Sequence, residues 1–369
     1  MTSAIEIYQG QDFYVPYFEV KLKNAALGQD VVRDIIQVSY KDSLENIDSF
    51  DITINNWDSE KRSFKYSDTD LFLPGNDIEL WMGYYGKSKL VLMLKGKITT
   101  LKPSFPSGGQ PTLSISGLNP LHDLRKKQES HKYEKLKDSD IASQIAGRLG
   151  VSIRTDSAAK AKEESYEHIM QENQYDIVFL MERARKIGYD LFVEDTPSGD
   201  QIYFGPTVNL RQTTYRLTYG RSLIQFTPNL DVSNQVAQVT VRGSDAAKKV
   251  KYDVTVTRSD IALQGLGCPA MQQALEESFN DREEVITDKP INSEQEARTL
   301  ARETLERNAK EMVKGSGSTV GLPDLRAGSV LEIDGLDSCF SGRYFVTATT
   351  HTIGGSGYTT QFECRREEV

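Results

Sequence analysis

The chain has 369 residues, 38% of them hydrophobic and 26% charged, with a formal net charge of −9 and a pI near 5.2. That length holds two or three domains and a sizeable core. The acidic balance excludes a nucleic-acid binder that grips phosphates with a broad basic face, and no apolar run approaches the roughly 18–20 residues that cross a bilayer. The N-terminal stretch MTSAIEIYQGQDF has neither the basic nor the apolar segment of a secretory signal, so none is expected. Cys268, Cys339 and Cys364 are odd in number, far apart and form no CxxC. They are expected to be small hydrophobes of a protein made in a reducing cytoplasm.

The first 120 residues alternate with a period of two. DSFDITINN puts Phe50, Ile52 and Ile54 on one face, and PTLSISGL does the same with Leu113 and Ile115. Between them, DIELWMGYYGKSKLVLMLKGKITTL predicts two strands turned at Gly86-Lys87-Ser88. Pro16 suits an edge or entry position. Trp81 is expected in the core and Trp57 partly exposed at a strand end. This segment predicts a compact antiparallel barrel or sandwich. The basic stretch KKQESHKYEKLK, Lys126 to Lys137, reads as a solvated loop or strand edge.

After Asn119-Pro120 the period becomes helical. DSDIASQIAGRLG places Ile141, Ile145 and Leu149 on one face, with Asp138 or Ser139 as cap and Gly150 as stop. NQYDIVFLMERARKIG predicts a second helix with Asn173 as N-cap, Asp176 at its positive end, Arg183, Arg185 and Lys186 at its negative end, and Gly188 as stop. YDLFVED and DQIYFGP read as a hairpin around TPSG. Strands return with SLIQFTP and QVAQVTVRGSD. A further helix begins at the Ser293/Glu296 capping box and carries Ala297, Leu300, Ala301, Leu305, Met312 and Val313 on one stripe. GSGS, Gly315 to Ser318, reads as a flexible stop. SVLEIDGL, GRYFVTATTHTI and GYTTQFECRR are strands.

Four stretches recur in the same order. IIQV (Ile35 to Val38) matches LIQF (Leu223 to Phe226), and DITINNWD (Asp51 to Asp58) matches QVTVRGSD (Gln238 to Asp245). PGNDIEL (Pro74 to Leu80) matches AGSVLEI (Ala327 to Ile333), and LKGKI (Leu94 to Ile98) matches FSGRY (Phe340 to Tyr344). Ile36 and Ile224 are 188 positions apart, whereas Gly75 and Gly328 are 253 apart and Gly96 and Gly342 are 246 apart. The predicted fold is mainly β with α+β insertions: two antiparallel β-barrels related by internal duplication, an α+β domain and a helical insertion. The expected division is residues 1–121 for the first barrel, 122–217 for the α+β domain, 218–250 with 315–369 for the second barrel, and 251–314 for the insertion.

Three stretches carry a family resemblance: QENQYDIVFLMERARKIGYDLFVED with IYFGP, LTYGRSLIQFTPNLDVSNQVAQVTVRGSD, and LPDLRAGSVLEIDGLDSCFSGRYFVTATTHTIGGSGYTTQFECRR. Together they resemble the phage late control gene D family, hub proteins of contractile tails, and are similar to the N-terminal part of VgrG spike proteins. The resemblance implies a structural baseplate hub whose two barrels are like the tail-tube subunit. It implies a homotrimer of six barrels that adapts a sixfold inner tail-tube protein to a threefold spike, flanked by baseplate wedge proteins. The fused relatives continue into a spike, while this sequence stops at Val369, so a separate spike protein is expected. Arg365, Arg366, Glu367 and Glu368 are then expected to face it. The protein would be made in the cytoplasm and end as part of a phage tail or injection particle, inserting no segment of its own into a membrane.

No catalytic, metal or cofactor residues are expected. His122, His131, His168 and His351 have no ligand spacing, and His351 reads as a turn or packing residue at a strand end. GxSxG, P-loop and strand-coupled GxGxxG motifs are missing, and GLGCPA (Gly265 to Ala270) reads as a helix entry. Two other functions are open to this composition. A cell-wall (peptidoglycan) hydrolase would need two carboxylates across a sugar-sized cleft, one with a raised pKa. A surface adhesin or carbohydrate-binding module would need exposed aromatics.

Overall fold

The computed structural model describes residues 5–7, 13, 15–44, 46–86, 90–119, 125, 127–196, 199–206, 214–245, 250–261, 268, 273–274, 277–287, 291 and 293–366. Its elements are β1 (Ile5–Glu6), β2 (Pro16–Leu22), β3 (Ala25–Ala26), α1 (Gln29–Asp34), β4 (Ile35–Ser43), β5 (Ser49–Asn55), β6 (Trp57–Asp58), β7 (Ser63–Phe64), β8 (Asp77–Tyr84), β9 (Val91–Ser104) and β10 (Thr112–Leu118). Next come β11 (Gln128–Leu136), α2 (Asp138–Leu149), β12 (Ser152–Thr155), α3 (Ser157–Lys162), β13 (Tyr166–Tyr175), α4 (Asp176–Lys186), β14 (Asp190–Thr196) and β15 (Gly199–Gly205). The rest are β16 (Thr214–Thr218), β17 (Leu223–Leu230), β18 (Gln238–Asp245), β19 (Val250–Thr257), β20 (Glu283–Ile286), α5 (Glu294–Lys310), β21 (Val313–Val320), β22 (Val330–Asp334), β23 (Gly342–Gly354) and β24 (Gly357–Arg365). The fold is mainly antiparallel β with a minority of helix.

One 14-stranded sheet holds most of the strands. Within it, two runs of five antiparallel neighbours follow the same pattern: β4-β5-β10-β9-β8 and β17-β21-β24-β23-β22. Each run closes over its own core. The first is built on Val38, Phe50, Ile52, Ile54, Leu80 and Ile115, the second on Leu223, Leu331, Ile333, Tyr344, Val346 and Phe362. Alternation alone explains β5 and β10, whose odd and even positions are strictly half-buried and buried.

The same local devices occur in both runs. Gly75 and Gly328 adopt left-handed backbone (φ 92° and 85°) just before β8 and β22. Gly75 N–H donates to Ile98 O (2.7 Å) and Gly328 N–H to Val346 O (2.8 Å). In the other direction Ile98 N–H donates to Asn76 O and Val346 N–H to Ser329 O. Each first strand carries a bulge at an isoleucine: Ile36 in β4 and Ile224 in β17. Gly96 and Gly342 are not equivalent, because Gly96 lies opposite Ile78 whereas Gly342 lies opposite Ile333, two positions further along its strand pair. QVTVRGSD also departs from expectation. It forms β18, which pairs with β19 and β20 in a separate three-stranded sheet, so its match to DITINNWD is one of alternation and not of place.

The strand that pairs with β17 is instead β21, which contains the GSGS expected as a flexible stop. Small residues are required there. A Cβ on Gly315 would lie 2.7 Å from the Phe226 ring, and one on Gly317 would lie 2.5 Å from the Phe362 ring. Val313 belongs to this strand and Met312 follows the helix, so neither extends the α5 stripe. That stripe buries Ala297, Ala301, Leu305 and Ala309 against Val239, Val241 and Val256, with Ser293 Oγ accepting from Glu296 N–H at the start.

Residues 128–205 form two small sheets, β11-β13 and β12-β15-β14, with α2 and α4 packed through Ile141, Ile145, Ile177 and Leu180. Gly150 ends α2 with φ 72° and Gly188 follows α4 with φ 68°. The N-termini differ from expectation. Neither Asp138 nor Ser139 caps α2; the Asp138 carboxylate is held by Arg183 (2.6 and 2.9 Å), and Glu163 reaches in to accept from Ser139 N–H (2.9 Å). Asn173 lies inside β13 with φ 47°, and α4 begins after Tyr175 with Asp176 in its first turn.

Two cysteines also depart from expectation. Cys268 and Cys339 are joined in a disulfide, 71 residues apart, and Cys364 is free and buried. The odd count concealed a pair that only the fold brings together. The remainder of GLGCPA, the 87–88 turn, Pro197 with Ser198, and His122 lie outside the described residues.

Gly317→Val should destabilise the chain by about 1–3 kcal/mol, because the added methyls would force Phe362 from its place. Urea unfolding followed by circular dichroism checks this; an unchanged midpoint would mean that the β21 glycines are not packing requirements.

Candidate assembly interface

The two runs are joined where β4 pairs antiparallel with β23, from Val38 opposite Ile353 to Ser43 opposite Ala348. This junction is lined by polar groups, of which Asp42, Tyr40, Tyr84 and His351 are buried and Arg326 and Asp48 half-buried. Asp42 accepts from Ala327 N–H (3.0 Å) and from Thr349 Oγ1. Arg326 donates to Leu92 O and Met93 O (3.1 and 3.2 Å) and lies over the Tyr40 ring, 4.5 Å from its centre. Tyr40 OH donates to Asp48 (3.2 Å), and Tyr84 OH donates across to Gly321 O (2.9 Å).

His351 lies inside β23, three residues before its end, and is fully buried, so it is a packing residue and not part of a turn. Leu325 O lies 3.0 Å from Nε2 and can only accept, so Nε2 carries the hydrogen. Nδ1 then accepts from Tyr358 OH and Thr360 Oγ1, each 3.1 Å away. Burial, with the Arg326 charge nearby, holds the His351 pKa well below its ordinary value, so the ring is a neutral linker of strands.

Burial, together with the nearby Asp42, pushes the Asp48 carboxyl up to about 7. Glu303 on α5 is likewise pushed up to about 7, by burial and then by Glu306 and Asp138. A surface hollow of about 230 Å3 lies elsewhere, between β21, β23 and β24, and is lined by Ser316, Ser318, Thr350, Gln361 and Glu363 among others. None of the raised carboxyls, Asp48, Glu303, Glu164 or Asp324, borders it. Among the described residues no group of three His, Cys, Asp or Glu side chains is disposed to hold a metal ion, and no helix is long and apolar enough to cross a membrane.

The outer surface carries apolar groups at strand ends and bulges. Ile36 is 51% exposed, Ile224 58% and Phe105 59%. Phe105 packs edge-on against Phe64, which meets Trp57 in the same way (5.0 and 5.4 Å between ring centres). Trp81, expected in the core, is on the outer face of β8 beneath the Lys21 ammonium, with Nε1–H donating to Glu79. The basic stretch of β11 is balanced by its own acids, Lys127 with Glu129 and Lys132 with Glu134.

Of the expected spike-facing residues, Arg365 lies over the Phe345 ring and Arg366 is folded onto the turn before β23. Arg366 donates to Cys339 O (2.5 Å) and Ser341 O (3.2 Å). Glu367 and Glu368 lie outside the described residues. The polar junction itself had no sequence signal beyond Arg326 and His351 standing in strand-rich stretches.

A family model described as the Alg8 N-terminal domain matches residues 15–355. No curated protein sequence matches the chain. Among solved structures, the chain is similar to the 43 kDa tail protein of prophage MuSo2 from Shewanella oneidensis, at 13% identity over 95% of this chain and 98% of that one, with a TM-score of 0.70. It is similar to a tail protein from Neisseria meningitidis, at 13% identity over 96% and 97%, with a TM-score of 0.66. An E. coli component of the type VI secretion system, described as structurally similar to the T4 tail proteins gp27 and gp5, follows at 12% identity over 95% and 79%, with a TM-score of 0.59. At such identities the likeness is one of fold.

Asp48→Asn should stabilise the chain at about pH 8 and lose that advantage near pH 4. The unfolded carboxyl gives up its proton near 3.8 while the folded one holds it to about 7, so Asp48 removes stability as pH rises through that window. His351 acts oppositely, removing stability below 6.5, and cancels in the comparison of variant with parent. Chemical unfolding at three pH values reads the difference; equal midpoints at all three would overturn it.

Proposed function

The chain belongs to the Alg8 N-terminal domain family, and we propose that it is a non-enzymatic structural hub of a contractile-tail or injection-system baseplate, related to the late control gene D proteins. Three copies would form a ring that adapts a sixfold inner tube to a threefold spike. The observation that carries this reading is the pair of five-stranded runs with one connection pattern, matching glycine turns and matching bulges. Two such units per chain and three chains make six positions, as a sixfold partner requires. The fold held in common with tail proteins supports the same reading.

We divide the chain accordingly: a first tube-like unit to residue 121, an α+β domain over 122–217, and a second tube-like unit interrupted by an insertion. The insertion is taken as 231–312 and not 251–314, because among the described residues β18 pairs only within the small sheet. The partners would be the inner tube protein, a separate spike protein and baseplate wedge proteins. The end of β24 and Arg366 would face the spike.

Native mass measurement and sedimentation of the purified chain, with and without its spike partner, should find three copies. A stable hexamer would double the number of units and end the adaptor reading. The same preparation should release neither sugar nor peptide from peptidoglycan; turnover lost on replacing one Asp or Glu would overturn the non-enzymatic role.

A further inference from the structure

The β4–β23 junction has a counterpart in the chain that is left open. The bulges set β4 against β17 with Ile36 matching Ile224, 188 positions on. The glycine-turn bonds set β9 against β23 with Ile98 matching Val346, 248 positions on. Val38 to Ser43 therefore corresponds to Phe226 to Asp231, and Ala348 to Ile353 corresponds to Thr100 to Phe105. Inside the chain the first pair of segments is hydrogen-bonded together. The second pair lies on two separate edges: among the described residues Phe226 to Leu230 of β17 pairs only with β21, and β9 beyond Lys97 only with β10.

Burial agrees with an unfilled place. Val38 and Ile353 are buried in the first core, whereas their counterparts Phe226 and Phe105 are half-buried and 59% exposed. Phe226 already packs on Tyr344 and Phe362, so its face is the core side of the sheet. With one such edge on each run, a head-to-tail contact between copies would satisfy both, and it gives a closed ring where the rotation between copies is a whole fraction of a turn.

We propose that Thr100 to Phe105 of one copy pairs antiparallel with Phe226 to Asp231 of the next, with Leu101 opposite Leu230 and Lys102 opposite Asn229. The register repeats that of Thr349 opposite Asp42 and Thr350 opposite Lys41 inside the chain. This rests on the ring reading above and gives it a specific contact. Lys102 comes diagonally across from Asp231, an attractive placement on the outer face.

The contact between copies is weaker than the one within a copy. Asp231 N–H donates inward to Met312 O, so alternation turns Leu230 and Pro228 to the open edge. Ile98 N–H donates toward Asn76, and after the bulge alternation turns Leu101 and Pro103 to theirs. Pro103 and Pro228 would face each other, and each lacks an N–H. The ladder then forms on either side of a gap, at Leu101 with Leu230 and at Phe105 with Phe226. The same prolines blunt both edges while the chain is alone.

The test is a chain carrying Lys102→Cys and Asn229→Cys, both exposed. Opposed residues of a non-hydrogen-bonded pair come close enough for a disulfide. Mild oxidation should give a covalent species of three chains' mass that reverts on reduction, not formed by either single variant or by the parent with its own cysteines. Lys102→Cys with Thr227→Cys, on the same face but two residues out of register, should crosslink far less. A trimer by native mass in which the first pair stays uncrosslinked, or links no better than the second, overturns this contact and leaves the ring standing. A chain that remains monomeric at all concentrations, with and without the spike, removes both.

Discussion

The antiparallel pairing of β4 with β23 is the constraint on which the rest of the molecule depends. It unites two five-stranded runs into one sheet, and it does so with a charge inside. Asp42 is buried and accepts from the backbone of Ala327 and the hydroxyl of Thr349, both from the far half of the chain. Removing either donor while the junction stays closed would leave that carboxylate short of a partner, at a cost above the roughly 1–3 kcal/mol of a neutral unsatisfied group. Arg326 and His351 fix the same place from the other side, one donating to Leu92 and Met93 carbonyls and the other tying β23 to β24 and the Leu325 loop. The angle between the runs is therefore a rigid property of one polypeptide.

The runs keep the same pattern with different side chains. By strand register, Phe50 and Ile52 of β5 stand where β21 has Gly315 and Gly317. The volume missing from β21 is supplied by neighbours, Phe226 from β17 and Phe362 from β24, whose rings occupy the space over the glycines. Part of the lost volume thus returns from other strands, so the source of the packing changes while the strand order is kept. The insertion between β17 and β21 is compatible with this because it leaves the sheet at Leu230 and re-enters at Val313, and those two residues are paired.

Much of this fold was legible in the sequence, and the failures share a cause. Alternation identified β5, β8 and β10, and helical spacing with Ser293 or Gly150 identified α5 and α2, because those signals are local. The 188-position offset between Ile36 and Ile224 reappears as two matching bulges. What was missed depends on distant partners. GSGS looks flexible until two phenylalanine rings are placed over it. Asp138 looks like a cap until Arg183 arrives from 45 residues away. Cys268 and Cys339 look solitary until the insertion returns to the second core. QVTVRGSD alternates as well as any strand of the large sheet, and alternation does not say which sheet it joins. Of the candidate interface, sequence marked Ile36 and Ile224 as repeated positions but neither Phe105 nor the edges that display them.

The long separation between β4 and β23 has a consequence for synthesis. About 300 residues lie between Ser43 and Ala348, and at roughly 5–20 residues per second a ribosome takes on the order of tens of seconds to make them. Through that interval β4 of the first run presents an edge that has no strand to meet. The edge is not bare of protection. Lys41 is exposed on it and Asp42 points a charge inward, which is how sheets discourage unwanted strand addition. The carboxylate that later anchors the junction would thus first serve as a guard on the nascent chain, and its capture by the Ala327 N–H and the Thr349 hydroxyl would mark the moment when the C-terminal half arrives.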